Sequence, residues 1–167
     1  DSFAERIKPV LGDLGEPQLG LADEIFERLA HEIDVIYHNG AMVNFVYPYH
    51  AHKSSNVIGT HEVLRLACRI KLKPVHFVST LSILYSGDAN DGRIIREDIN
   101  LDEVGAPFGG YAQSKWVAEK LVRLAGERGM AQTHTSRQGT TEVRLQLAPG
   151  QSLLLKTFRQ PVDFTPW

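Results

Sequence analysis

Short unbroken apolar runs alternate along most of this chain with longer stretches whose apolar positions recur every three or four residues. Ile7 to Leu11 reads as a short strand entering the turn Gly12-Asp13-Leu14-Gly15, and Leu21 to Ile33 as a helix with Leu21, Ile25, Leu29 and Ile33 on one face. Asp34 to Tyr37 is a second strand, ending in His38-Asn39-Gly40-Ala41, and a long helix follows from about Ala51 to Ile70. Pro74 to Val78 is a third strand, closed by Ser79-Thr80. Ser86 to Pro107, rich in Gly, Asp and Asn, reads as loop. A last helix runs from Tyr111 to about Arg128, where Gly129 suits a C-cap.

Strand and helix in alternation predict a parallel α/β sheet, whose ligands bind beyond the carboxyl ends of the strands. Gly12-Asp13, Asn39-Gly40 and Ser79-Thr80 each fall at such an end, so three turns are expected around one crevice. Beyond Met130 the character changes. Thr133 to Thr141 is polar and reads as irregular. Glu142 to Leu147 alternates as a half-buried strand does, Ala148 to Gln151 signals a turn, and Ser152 to Phe158 offers a second strand. The fold expected is an incomplete Rossmann-like parallel sheet with flanking helices, plus a C-terminal β-hairpin whose attachment is left open.

Composition narrows the class. The 167 residues are 43% hydrophobic and 23% charged, with a net charge of −2, which suits one soluble domain and argues against nucleic-acid or anionic-membrane surfaces. One cysteine, Cys68, excludes an internal disulfide framework, and no apolar run is long enough for a membrane span. With no signal-peptide pattern at the N-terminus, the expected compartment is the cytoplasm.

Candidate chemistry centres on Gly109 to Trp116. Tyr111 and Lys115 are four apart, so both project from one helical face, and a fixed ammonium beside a phenol lowers its pKa. Such a pair can protonate an oxygen that gains charge when hydride reaches a carbonyl. Thr80 or Ser82, after the third strand, could orient that oxygen, or could simply cap the strand end. Asp13 could meet an adenine edge, and Gly40 would let a backbone approach a cofactor closely, although both also suit ordinary turns. His50 and His52 lack a third ligand nearby, and Asp88, Asp91 and Asp98 lack the glycine and glutamate of a calcium loop, so no metal site is expected. No G-x-G-x-x-G occurs, and Glu16-Pro17 interrupts the glycines 12, 15 and 20 with a negative charge and a residue lacking N–H.

The segments Pro9 to Leu14, Asp34-Val-Ile-Tyr-His-Asn-Gly-Ala-Met-Val-Asn-Phe45, Asn56 to Thr60, Lys73 to Thr80 and Tyr111-Ala-Gln-Ser-Lys-Trp116 resemble an extended short-chain dehydrogenase/reductase. The nearer resemblance is to the thioester reductase domains of nonribosomal peptide and polyketide synthetases, related to those of carboxylic acid and fatty acyl-CoA reductases. It covers roughly residues 5 to 130 and implies a partial NAD(P)-binding domain over 1–130, with 131–167 an unmatched tail. It implies Thr80, Tyr111 and Lys115 as catalytic hydroxyl, general acid and ribose-holding lysine. Gly12, Asp13, Leu14, Asn39, Gly40 and Ala41 would line an NADPH site together with Lys115. The implied substrate is an acyl thioester on a carrier-protein phosphopantetheine arm, reduced to an aldehyde or alcohol. The family's glycine-rich loop is not in this chain, so the expectation is a fragment without independent activity. The alternatives are a non-catalytic α/β scaffold and another extended reductase acting on sugar nucleotides or sterols.

Overall fold

The computed structural model describes residues 6–85, 95, 99–129, 133–137 and 140–143. Its core is a sheet of four strands, β1 (Ile36–His38), β2 (Val75–Val78), β3 (Thr133–Arg137) and β4 (Thr140–Val143), lying in that order. β1 pairs in parallel with β2 and β2 in parallel with β3, while β4 turns back antiparallel. Helices supply the two parallel crossovers, as parallel pairing demands. The first is continuous over α2 (Tyr49–His52), a π-helical stretch (Lys53–Ile58) and α3 (Gly59–Cys68). A one-turn helix α4 (Leu101–Val104) precedes the second, α5 (Gly110–Glu127).

Both crossovers pack on one face of the sheet. Val63, Leu64 and Ala67 of α3 and Ala118, Val122 and Ala125 of α5 close over Val75 and Phe77 of β2, forming the main core. Helix α1 (Asp23–Glu32) adds a smaller cluster by setting Phe26 and Ala30 against Leu66. The opposite sheet face is open, with Tyr37 exposed and stacked on His76 at 4.4 Å.

Several boundaries move for identifiable reasons. Ile7 to Leu11 forms no strand, because no described strand offers it a ladder, Pro9 has no N–H to give, and Leu11 is exposed. β1 begins two residues late, where Ile36 N donates to Pro74 O at 2.9 Å. The long helix starts earlier, behind Pro48, and stops at Cys68. Ile70 takes φ +67°, and the buried Lys73 donates to the carbonyls of Leu66, Arg69 and Lys71, closing the helix end. Within the expected loop from Ser86 to Pro107, residues 101–104 form α4, capped where the Asn100 side chain accepts from Asp102 N; much of the rest lies outside the described residues. Gly129, at φ +65°, follows α5 as a glycine C-cap should.

The tail is corrected most. Residues 133–137, expected to be irregular, form β3 in register with β2, and the hairpin is β3–β4. Of the two strands expected further on, only Glu142 and Val143 lie in β4; 144–158 lie outside the described residues.

Candidate active site

Tyr111 stands in the first turn of α5, and the chain crosses itself closely there. A Cβ added to Gly110 would lie 2.5 Å from both Pro48 C and Tyr49 N, so only glycine lets the start of α5 abut the start of α2. Behind this crossing the buried Asn56 of the π-helical stretch ties three segments together. Its Oδ1 accepts from Met42 N at 2.7 Å, and its Nδ2 donates to Met42 O and to Ser114 Oγ, both at 2.9 Å. Ser114 Oγ in turn donates to Tyr111 O at 2.7 Å. The loop after β1, the first crossover and α5 are thereby fixed around Tyr111.

The phenol ring meets Phe45 edge-to-face at 5.4 Å and His52 at 6.0 Å. Thr80 lies close enough to act on the phenol through its hydroxyl, and it caps the short 3-10 helix Leu81–Leu84 by accepting from Ser82 N at 3.3 Å. Burial pushes the phenol pKa up, against the smaller opposing effect of Thr80. This reverses the lowered value expected from a Tyr111–Lys115 pair. The helix does put both residues on one face, but Lys115 Nζ bonds elsewhere, to Val78 O at 2.8 Å, over the Phe77 ring at 4.1 Å.

Lys115 is 3% exposed, and burial brings its pKa down to about 8, opposed by the Glu119 carboxylate one turn on. Glu119 is itself fully buried, accepting from Ser79 Oγ and paired with Arg123 at 2.9 Å. Behind Lys115, His38 Nε2 lies 2.9 Å from Thr60 Oγ1. The Thr60 hydroxyl proton goes to Asn56 O at 2.7 Å, so His38 is the donor to Thr60. Burial and then the Lys115 charge hold the imidazole pKa down to about 4, keeping the ring neutral at pH 7.

The other expected site residues form a second group. Leu14 packs on Gly40, where a Cβ would lie 2.6 Å from Leu14 Cδ1, and on Gly59, where one would lie 2.5 Å from Leu14 O. The turn containing Gly12, Asp13 and Leu14 therefore meets the turn Asn39-Gly40-Ala41 at the start of α3. Thr80 and Tyr111 come together beyond β2, and His38 lies near enough to Lys115 to feel its charge. Sequence reasoning passed over Asn56, Ser114, His38 and Glu119, and set His52 aside as half of a weak metal pair. Asn56 carried no buried-polar signal, since it follows Lys53, Ser54 and Ser55 in a polar run. Among the described residues there is no cluster of three metal-ligating side chains, and no helix is long and apolar enough to cross a membrane.

Residues 1–149 match an NAD-binding family described as "Male sterility protein". A linear gramicidin synthase protein of Brevibacillus parabrevis is 53% identical over 130 residues, covering 78% of this chain and 3% of that protein. The L-2-aminoadipate reductase of Saccharomyces cerevisiae is 44% identical over 140 residues, covering 78% of the chain and 10% of the enzyme. Among solved structures, the terminal R domain from the myxalamid PKS-NRPS biosynthetic pathway superposes with a TM-score of 0.73 at 55% identity, over 79% of this chain and 33% of that one. The chain thus spans a small part of the length of these relatives.

Proposed function

Because the chain belongs to the NAD-binding family described as "Male sterility protein", we propose that it forms the proton-donating part of a nicotinamide-dependent thioester reductase site. The substrate is an acyl thioester on the phosphopantetheine arm of a carrier protein, and the cofactor is NADPH. The observation that carries this reading is the placement of the Thr80 hydroxyl beside the Tyr111 phenol, whose pKa burial raises.

Lys115, 3% exposed and bonded to Val78 O, would have to release that carbonyl to hold the reactive end of the cofactor. A cationic Lys115 and the Tyr111 phenol occupy adjacent turns of one helix, where a ribose hydroxyl and a carbonyl oxygen would be held together. NADPH, when bound, supplies the hydride. Thr80 Oγ1 donates to the thioester carbonyl oxygen and orients it. As that oxygen gains negative charge, Tyr111 Oη transfers its proton, giving a neutral hemithioacetal that collapses to aldehyde and thiol. Lys115 loses part of its ordinary preference for charge through burial, yet with a pKa of about 8 it remains mostly cationic at pH 7.

The test is a chimera in which residues 6–129 replace the corresponding stretch of the myxalamid R domain. We expect NADPH-dependent release of aldehyde from a carrier-bound acyl thioester. Tyr111→Phe should lower turnover by roughly 100- to 10,000-fold, the range for a positioned general acid. A chimera that binds NADPH but turns over equally well with phenylalanine would end the assignment. Binding without any turnover would favour the scaffold reading, and turnover only on sugar nucleotides or sterols would move the substrate class.

A further inference from the structure

His52 is wholly buried, and neither ring nitrogen has a hydrogen-bond partner. A buried imidazole without partners is destabilising, and an apolar side chain of similar size would fill the space at lower cost. The ring lies between two aromatic neighbours, Tyr47 at 6.4 Å and Tyr111 at 6.0 Å with an interplanar angle of 65°. It therefore forms one wall of the pocket that holds the phenol, opposite in kind to Phe45, the other ring against Tyr111. Phe45 contributes only apolar surface, whereas the imidazole brings a dipole into surroundings that otherwise disfavour charge on the phenol.

We propose that His52 is a positioning residue for Tyr111: its edge contact holds the phenol ring, and its dipole eases the charge that appears there when the proton leaves. The cost of burying His52 is then offset in the behaviour of Tyr111 and not in the stability of the fold. Titratable neighbours of the pair are Tyr47, against the imidazole, and Lys115, one turn along α5, whose ammonium is bonded to Val78 O. Neither offers His52 a hydrogen bond.

The inference rests on Tyr111 being the proton donor, so its test reads Tyr111 without requiring turnover. The full chain is prepared with tyrosine carrying 13C at Cζ, the Tyr111 signal being assigned by its loss in Tyr111→Phe. The pH titration of that signal is compared in wild type, His52→Leu and His52→Phe, each also unfolded by heat. Both substitutions should raise the Tyr111 midpoint by roughly half to one pH unit, because each removes the imidazole dipole that favours the ionised phenol. Neither should lower the unfolding midpoint, and removing unpaired buried nitrogens should raise it by roughly 2–8 °C. An unchanged Tyr111 midpoint in either folded variant overturns the proposal, as does a lower unfolding midpoint in both. Failure of the proton-donor reading itself would show separately, as turnover surviving Tyr111→Phe in the chimera.

Discussion

Lys115 shows how one residue links the stability of this chain to the chemistry read from it. Its ammonium is held by a single carbonyl and a ring face inside the core, so folding favours the neutral amine and the pKa drops from 10.5 to about 8. Between those values the unfolded chain binds more protons than the folded one, so stability must rise with pH across that window. Below about pH 8 the burial penalty is present in full; by pH 10.5 it is gone. Tyr111 and Cys68 act with the opposite sign, since burial raises both their pKa values and folded-state stability falls once the unfolded groups ionise. Their ordinary values of 10.0 and 9.0 leave roughly pH 7.5 to 9 as the interval free of these opposing groups. Urea unfolding should show a gain on the order of 1 kcal/mol across it. Lys115→Met should remove most of that gain, leaving the part that the buried Lys73 contributes with the same sign. A slope of undiminished size in the methionine variant would mean that Lys115 is solvated in solution.

Among the elements, those legible in the sequence are those whose apolar positions keep time with their own period. α1, α5, β1 and β2 bury side chains at helical or strand spacing, so their existence was readable and only their ends moved. β3 was not readable, because Thr-His-Thr-Ser-Arg carries no alternation and its conformation comes from the ladder with β2. The π-helical stretch was hidden too, since widening one turn by one residue leaves the apolar pattern nearly intact. At the site, a Tyr four residues before a Lys and a Thr after a strand were enough to bring Thr80 and Tyr111 together. They could not say that Lys115 would turn to the Val78 carbonyl, because that depends on how far α5 sits from β2. The π-helical stretch places Asn56 where one amide reaches both Met42 and Ser114. Asn56→Ala strands those buried groups and should cost about 2–4 kcal/mol in urea unfolding. A loss below about 0.5 kcal/mol would show that water replaces the amide freely.

At the scale of the whole molecule, the question is whether these residues alone can hold a dinucleotide. Pyrophosphate is normally bound by free backbone N–H groups of a glycine-rich turn and by the helix N-terminus behind it. Five N–H groups of the glycine-bearing turn here are committed. Asp13 N donates to Leu19 O at 2.7 Å and Gly15 N to the Asp13 carboxylate at 2.7 Å. Glu16 N donates to Asp13 O, Leu19 N to Glu16 O, and Gln18 N to the Glu62 carboxylate at 2.7 Å. The next helix, α1, opens with Asp23 and Glu24, two negative charges where a phosphate would need a positive dipole. Two of the turn's N–H groups are thus satisfied by carboxylates, and an anion would have to displace them against their charge. Losing several charge-assisted hydrogen bonds of about 1.5–3 kcal/mol each weakens binding by several powers of ten. The 167-residue chain on its own should therefore give no heat on calorimetric titration with NADPH at micromolar concentrations, and it should reduce no thioester. Micromolar binding would mean that the turn opens and releases Asp13 N and Gly15 N. Asp13→Asn, which keeps the shape of the side chain and removes its charge, should then tighten that binding further.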